Sequence, residues 1–150
     1  MTPPFLPQET DFSCAVACFR MVLASFGITK SEDELRELCD CTIFGTAAIE
    51  LVHAARTLGL AASRKYTLKL EDLREFTEQG YHPIVYVVAA AGVRPPEVHA
   101  LLVVSVTEAE IGALDPKYGR CSLSVREFIE MWAPMNNLAI VVARFAPESD

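Results

Sequence analysis

Residues 8–26 read QETDFSCAVACFRMVLASF, and from Cys14 onward this stretch is apolar on nearly every side. Only Arg20 and Ser25 interrupt the apolar run, and Gly27 follows it, where a glycine often ends a helix. A helix that is apolar all round must be buried. We therefore predict that this segment forms the central helix of the domain, around which the other elements pack.

The start of this helix has the features of a nucleophile site. Asp11 and Ser13 are good N-cap residues, so Cys14 would lie in the first turn, where unpaired N–H groups and the helix dipole favour a thiolate. The thiolate is the nucleophilic form of cysteine. Gln8 stands six residues upstream, and its amide together with the Cys14 N–H could form an oxyanion hole. The alternative is a small buried cysteine beside an exposed loop glutamine.

Length and composition indicate one globular domain over residues 1–150, large enough for a sizeable core. Hydrophobic residues make up 51% of the chain and charged residues 22%, which is not the composition of a disordered protein. The net charge of −7 argues against nucleic acid and against an anionic membrane surface as partner. No stretch reaches the roughly 18 uninterrupted apolar residues of a membrane span.

The cysteines and the N-terminus point to a reducing compartment. The first residues, MTPPFLPQETD, lack the basic start and apolar core of a signal peptide. Five cysteines cannot all pair within the chain, so we predict reduced thiols in a cytoplasmic protein. There is no C-x-x-C pair, Cys39 and Cys41 are two positions apart, and only three histidines occur. We therefore expect no metal site and no cofactor.

Periodicity places helices mainly before strands, which predicts an α+β fold with a helical part followed by an antiparallel sheet. The further helices are predicted at 32–39, 47–58 (capped by Thr46), 70–80 and 125–132 (opened by a capping box from Ser124 to Glu127). The strands are predicted at 60–68, 83–90, 99–106, 110–115 and 136–145, with a proline-rich loop at 90–97 and a turn at 116–120.

Of the three histidines, His99 has the setting of a catalytic base. It begins the strand HALLVVSV directly after the proline-rich loop, and a rigid strand that opens on a loop rim is a good platform for such a group. The alternative is a polar residue that caps a strand. His53 is predicted on a solvated helix face, and His82, just before a proline, is predicted to be structural.

Asp115 occupies a matching position at the end of the next strand, EIGALD. If the two strands pair antiparallel, the end of one lies near the start of the other. A carboxylate there could bond to one nitrogen of His99, fix the tautomer and stabilise the imidazolium. The alternative is ordinary turn chemistry, because Asp-Pro commonly opens a turn.

The order and setting of these residues resemble the bacteriocin-processing cysteine peptidases. These are papain-like domains at the N-termini of peptide-exporting ABC transporters, and they cut leader peptides after a double glycine. The resemblance runs from about Pro7 to Val142. It is carried by an ordered set of motifs: Q-x5-C-A-V-A-C-x-x-M, F-G-T at 44–46, R-T-L-G-L-A-A, P-I-V-Y-V, H-A-L-L-V-V, L-D-P-K-Y-G and S-V-R-E-F.

The resemblance implies Cys14 as nucleophile, His99 as general base and acid, Asp115 as the orienting carboxylate and Gln8 as oxyanion donor. It also implies a papain-like α+β fold, with the helix that bears Cys14 packed against the sheet that bears His99 and Asp115.

The chain departs from the family pattern in two ways. The family usually has Asp-Cys-Gly at the nucleophile, whereas this chain has Ser13-Cys14-Ala15. We also expect no transmembrane region or nucleotide-binding domain after the peptidase-like part. The expected partner is therefore a peptide or protein substrate. A separate ABC transporter or another chain could be a second partner.

Three functions remain open on these residues. The first is a stand-alone cysteine peptidase that works through a Cys-His-Asp triad and a Gln oxyanion hole. The second is an acyltransferase or amidase that forms the same thioester but passes the acyl group to another acceptor. The third is a peptide-binding domain without catalysis.

Overall fold

The computed structural model describes residues 2–88 and 97–148, which form a helical part and a six-stranded sheet. The helices are α1 Cys14–Ser25, α2 Glu32–Leu38, α3 Ala48–Thr57, α4 Leu70–Glu78 and α5 Val125–Trp132, with a 3₁₀ turn at Ala133–Met135. The strands are β1 Arg64–Thr67, β2 Ile84–Val88, β3 Val98–Val106, β4 Glu110–Asp115, β5 Gly119–Ser124 and β6 Leu138–Val141.

The strands are arranged in the order β1-β6-β2-β3-β4-β5, and every neighbouring pair is antiparallel. The α+β prediction is therefore confirmed. Two of the pairings are hairpins, β3 with β4 and β4 with β5, so the start of β3 and the end of β4 come to one edge of the molecule.

Both faces of the sheet are covered, because successive residues of a strand point to opposite sides. Ile84 and Tyr86 of β2 face the core that contains α1, whereas Val85 and Val87 face the core that contains Phe128 and other residues of α4 and α5. This explains why β2 is apolar at every position rather than at alternate ones.

Helix α1 is the buried central helix that the sequence predicts. Val16, Phe19 and Leu23 are fully buried in the core on its side of the sheet. Gly27 ends the helix with a φ of +79°, a conformation that glycine adopts at little cost. Burial of α1 holds the residues just before it, including Gln8, in a fixed relation to the sheet.

The structure differs from the sequence prediction at β5 and at the start of α3. Strand β5 was not predicted, because its residues are only half-buried or exposed and the strand lies at the sheet edge. The N-cap of α3 is Ala47 rather than Thr46, whose carbonyl instead accepts a hydrogen bond from the Tyr86 hydroxyl at 2.6 Å. Most of the predicted loop at 90–97 lies outside the described residues.

None of the helices in residues 2–88 and 97–148 combines the length and the hydropathy that crossing a membrane requires.

Candidate active site

Cys14 is the first residue of α1 and is half-buried. Ser13 occupies the N-cap position, as predicted, and its carbonyl accepts the first helical bond from the Ala17 N–H at 2.9 Å. Its side chain, however, makes no cap bond within α1. The N–H groups of the first turn are therefore not taken up by Ser13, and they remain the part of the helix most favourable to a negative charge.

The sheet brings His99 and Asp115 together. Strands β3 and β4 pair antiparallel, and the His99 Nε2–H donates to Asp115 Oδ1 at 2.8 Å. The side chains are 23% and 14% exposed, respectively, so the pair is shielded but reachable. This is the proximity that strand order predicts.

Asp115 hydrogen-bonds both to the turn that follows it and to the His99 imidazole. Its Oδ1 also accepts the backbone N–H of Lys117 at 2.8 Å, which closes the Asp-Pro turn. Burial raises the pKa of the Asp115 carboxyl, but the hydrogen bonds from His99 and from the Lys117 N–H outweigh burial and leave the pKa lowered. The two alternative roles that the sequence suggests for this residue are therefore compatible.

Cys14 lies close enough to His99 to act on the imidazole, and its influence raises the pKa of His99. Because Nε2 is engaged with Asp115, Nδ1 is the nitrogen that is left for the thiol. Burial alone lowers the pKa of His99, but the hydrogen bonds and charges of Asp115 and Cys14 raise it to about 9. The imidazole therefore joins α1 to the sheet in a state that holds its proton.

Gln8 is tied to the turn after Asp115 by its backbone. Its N–H donates to the Pro116 carbonyl at 2.8 Å, and its side-chain Nε2 donates to the Thr10 carbonyl at 2.7 Å. That bond orients the amide and uses one of its two N–H hydrogens. Within residues 2–88 and 97–148, the buried Gln8 Oε1 has no hydrogen-bond partner. The four residues singled out in the sequence thus come from two joined segments, one before α1 and one at the end of the β3–β4 pair.

The sequence pattern places Glu32 only at the start of the predicted helix 32–39. The structure buries its carboxylate completely and directs it at the loop that carries Gln8 and Ser13. The only sequence signal for an interaction of Glu32 is its i,i+4 spacing from Arg36. Such a pair usually lies on a solvated helix face, so the spacing does not predict burial.

Of the remaining cysteines and histidines, Cys41 touches the segment before Cys14, since its thiol contacts the Phe12 carbonyl at 3.9 Å. Cys18 is fully buried one turn along α1, where burial raises the pKa of its thiol. His53 is exposed on α3 and His82 is half-buried before β2. Among the residues that the structure describes, no three His, Cys, Asp or Glu side chains are grouped so that they could hold a metal ion.

The proton on His99 gives a testable pH dependence. The pKa of His99 rises on folding from its usual 6.5 to about 9, so the resulting stabilisation is complete below pH 6.5 and is lost as the pH rises through about 9. We expect Asp115→Asn to lower the pKa of His99 by about 1 unit or more, since it removes the neighbouring negative charge. Imidazole NMR titration measures this, with exposed His53 as internal control. An unchanged His99 titration in the variant would contradict the assignment.

Comparisons with known proteins identify the family and the fold of the chain. An uncharacterised protein of Methanothermobacter thermautotrophicus is 30% identical over 116 residues, which cover 77% of this chain and 73% of that protein. The peptidase domain of Streptococcus ComA, a bi-functional ABC transporter in a quorum-sensing pathway, is similar with a TM-score of 0.77 at 24% identity, over 95% of this chain and 99% of that domain.

A second solved structure is a double glycine motif protease from an AMS/PCAT transporter, in complex with the leader peptide. It is similar with a TM-score of 0.75 at 19% identity, over 93% of this chain and 89% of that protease. At these identities the two structures show a shared fold, the papain-like α+β fold expected from the resemblance. The sequence profile described as the Peptidase C39 family matches residues 3–145, nearly the whole chain. The chain therefore belongs to the Peptidase C39 family.

Proposed function

We propose that this chain is a cysteine peptidase in which Cys14 is the nucleophile and His99 the general base and acid. Asp115 orients His99, and Gln8 stabilises the oxyanion. The observation that carries the proposal is that the His99 imidazole is hydrogen-bonded to Asp115 at 2.8 Å and lies close enough to Cys14, the first residue of a buried helix, for that cysteine to raise its pKa. Membership of a peptidase family supports the same reaction class.

The reaction follows from this geometry. His99 takes the proton from the Cys14 thiol, and Sγ attacks the carbonyl carbon of the scissile peptide bond. The carbonyl oxygen becomes an oxyanion beside the Cys14 N–H and the second amide N–H of Gln8. The imidazolium then protonates the leaving amine, the C–N bond breaks, and a thioester remains on Cys14. Water, deprotonated by His99, hydrolyses that thioester and restores the thiol.

We infer that the substrate is a peptide or a peptide segment of a protein. The leader peptide bound to the AMS/PCAT protease makes peptides with a double glycine the first substrates to test. The five cysteines are all unpaired, which favours action in the reducing cytoplasm, where a separate transporter could deliver or receive the peptide.

The decisive experiment is the alkylation of Cys14 by iodoacetamide as a function of pH, read by peptide mapping. Cys41 is half-buried and unpaired like Cys14, and it is mapped in the same digest as a matched control. A free cysteine thiol ordinarily has a pKa of about 8.5. We expect Cys14 to react rapidly at pH values well below this, because His99 holds the proton of the thiol. Equal rates at Cys14 and Cys41 across the range would refute the thiolate–imidazolium pair.

Gln8→Ala is expected to lower turnover of a peptide substrate about a hundredfold or more, because one oxyanion donor is lost. Cys14 alkylation should keep its rate, since that reaction develops no oxyanion. Gln79→Ala, an exposed glutamine at the end of α4, is the control for the substitution itself. Unchanged turnover in Gln8→Ala would remove Gln8 from the mechanism and leave the Cys14–His99 pair untouched.

A further inference from the structure

The buried carboxylate of Glu32 is bonded to the loop that precedes the nucleophile. This segment, residues 8–13, is called the oxyanion loop below. Glu32 is 0% exposed at the first position of α2, and its Oε1 accepts the backbone N–H of Glu9 at 2.9 Å and the Ser13 hydroxyl at 3.1 Å. One carboxylate oxygen thus joins both ends of the loop to a second helix.

The charge of Glu32 is balanced by a cation on its own helix rather than within the loop. Arg36, one turn along α2, places Nε 3.4 Å from Glu32 Oε2, and it also pairs with exposed Asp33. Within residues 2–88 and 97–148, neither that Nε nor that Oε2 has a hydrogen-bond partner. A buried carboxylate is costly unless it is paired and hydrogen-bonded, so the two bonds to the oxyanion loop are a main compensation for its burial.

The same contact explains why Ser13 does not cap α1. The Ser13 hydroxyl accepts the Thr10 N–H at 3.1 Å, and its single proton can go either to Glu32 or to the Thr10 carbonyl at 3.2 Å. A carboxylate is the stronger acceptor. Glu32 therefore directs the hydroxyl away from the first turn of α1, and the N–H groups there stay free for a reacting oxygen.

We propose that Glu32 is the positioning residue of the oxyanion site, and this inference rests on the proposed function. It acts through the oxyanion loop and does not touch the substrate. It holds the loop closed, so that the Gln8 amide and the Cys14 N–H converge, and it keeps the Ser13 hydroxyl from occupying the helix N-terminus.

The test is the rate at which p-nitrophenyl acetate acylates Cys14, followed by p-nitrophenolate release and corrected with Cys14→Ser. Glu32→Ala is expected to slow acylation about tenfold or more, because a loosened loop misplaces the oxyanion donors. Glu32→Gln should restore most of the rate, since its amide oxygen can accept the same two bonds. Asp33→Asn is the matched control, because it disturbs Arg36 without touching the loop.

Two further readouts separate positioning from general damage. Iodoacetamide alkylation of Cys14 passes through no oxyanion, so Glu32→Ala should leave its rate and pH dependence unchanged. In a double-mutant cycle, Glu32→Ala should cause little further loss of acylation in a Gln8→Ala background, because both act on one site. Loss of both reactions together would mean that the variant damages the whole site, and it would overturn the inference.

Each remaining outcome is also decisive. Wild-type acylation in Glu32→Ala, or full additivity with Gln8→Ala, overturns the role of Glu32 while the proposed function stands. A wild-type protein that is not acylated at Cys14 overturns the proposed function and this inference with it. If Glu32→Ala does not fold, Ser13→Ala removes the hydroxyl donor from the same contact; it should slow acylation and spare alkylation, and an unchanged acylation rate there overturns the inference.

Discussion

Cys14→Ser is expected to lower kcat for peptide hydrolysis by on the order of a thousandfold or more. The variant keeps the shape of the site, but a serine hydroxyl does not ionise in the pH range in which His99 holds a proton. The substituted oxygen therefore attacks the peptide carbonyl far more slowly than a thiolate does. Steady-state cleavage of a double-glycine peptide, followed by mass spectrometry, measures the loss.

Cys121→Ser is the control for this substitution, because Cys121 is a half-buried, unpaired cysteine on β5 outside the candidate site. It is expected to retain turnover. Cleavage by Cys14→Ser at the rate of the unaltered chain would show that the peptidase reaction does not use Cys14, whatever the geometry around it.

His99→Ala is expected to lower turnover by about 10²–10⁴-fold, the usual contribution of a positioned general acid–base group. The same change removes the proton acceptor for Cys14, so the rapid alkylation of Cys14 at low pH should disappear with it. The two losses have one cause, and both are measured in one preparation of the variant. Far-ultraviolet circular dichroism checks that the fold is retained.

His53→Ala provides the matched comparison, since His53 is exposed on α3 and outside the site. It is expected to leave both turnover and Cys14 alkylation unchanged. If His99→Ala lowered turnover but left the alkylation of Cys14 fast, His99 would act on the leaving group alone, and another base would have to ionise the thiol.

Much of the fold follows from local sequence pattern. Helix α1 was predictable because its apolar residues leave no solvated face, and α5 because Ser124 and Glu127 form the reciprocal bonds of a capping box. Strand β5 was not predictable from its residues. It is an edge strand that pairs on one side only, and its backbone bonds to β4 stabilise it more than its own apolar residues do. Backbone pairing of that kind leaves little trace in a pattern of hydrophobic residues.

The candidate site was predictable where it depends on strand order, as at His99 and Asp115, but not where it depends on tertiary contacts. Ser13 stands at the N-cap position that its residue type predicts, yet its hydroxyl bonds to Glu32, which lies 19 residues further along the chain. Glu32 itself has the sequence setting of a surface residue. Burial of a charged group is decided by packing between helices, which a local pattern does not contain.

The bond between the Gln8 N–H and the Pro116 carbonyl joins segments more than a hundred residues apart in the chain. While the protein is being synthesised, Gln8 and Cys14 leave the ribosome long before His99 and Asp115 do. A nascent chain that has reached only α3 therefore carries Cys14 without His99 or Asp115. The ribosome-bound protein acquires its complete candidate site late in translation, which limits the time during which it could cleave neighbouring nascent peptides.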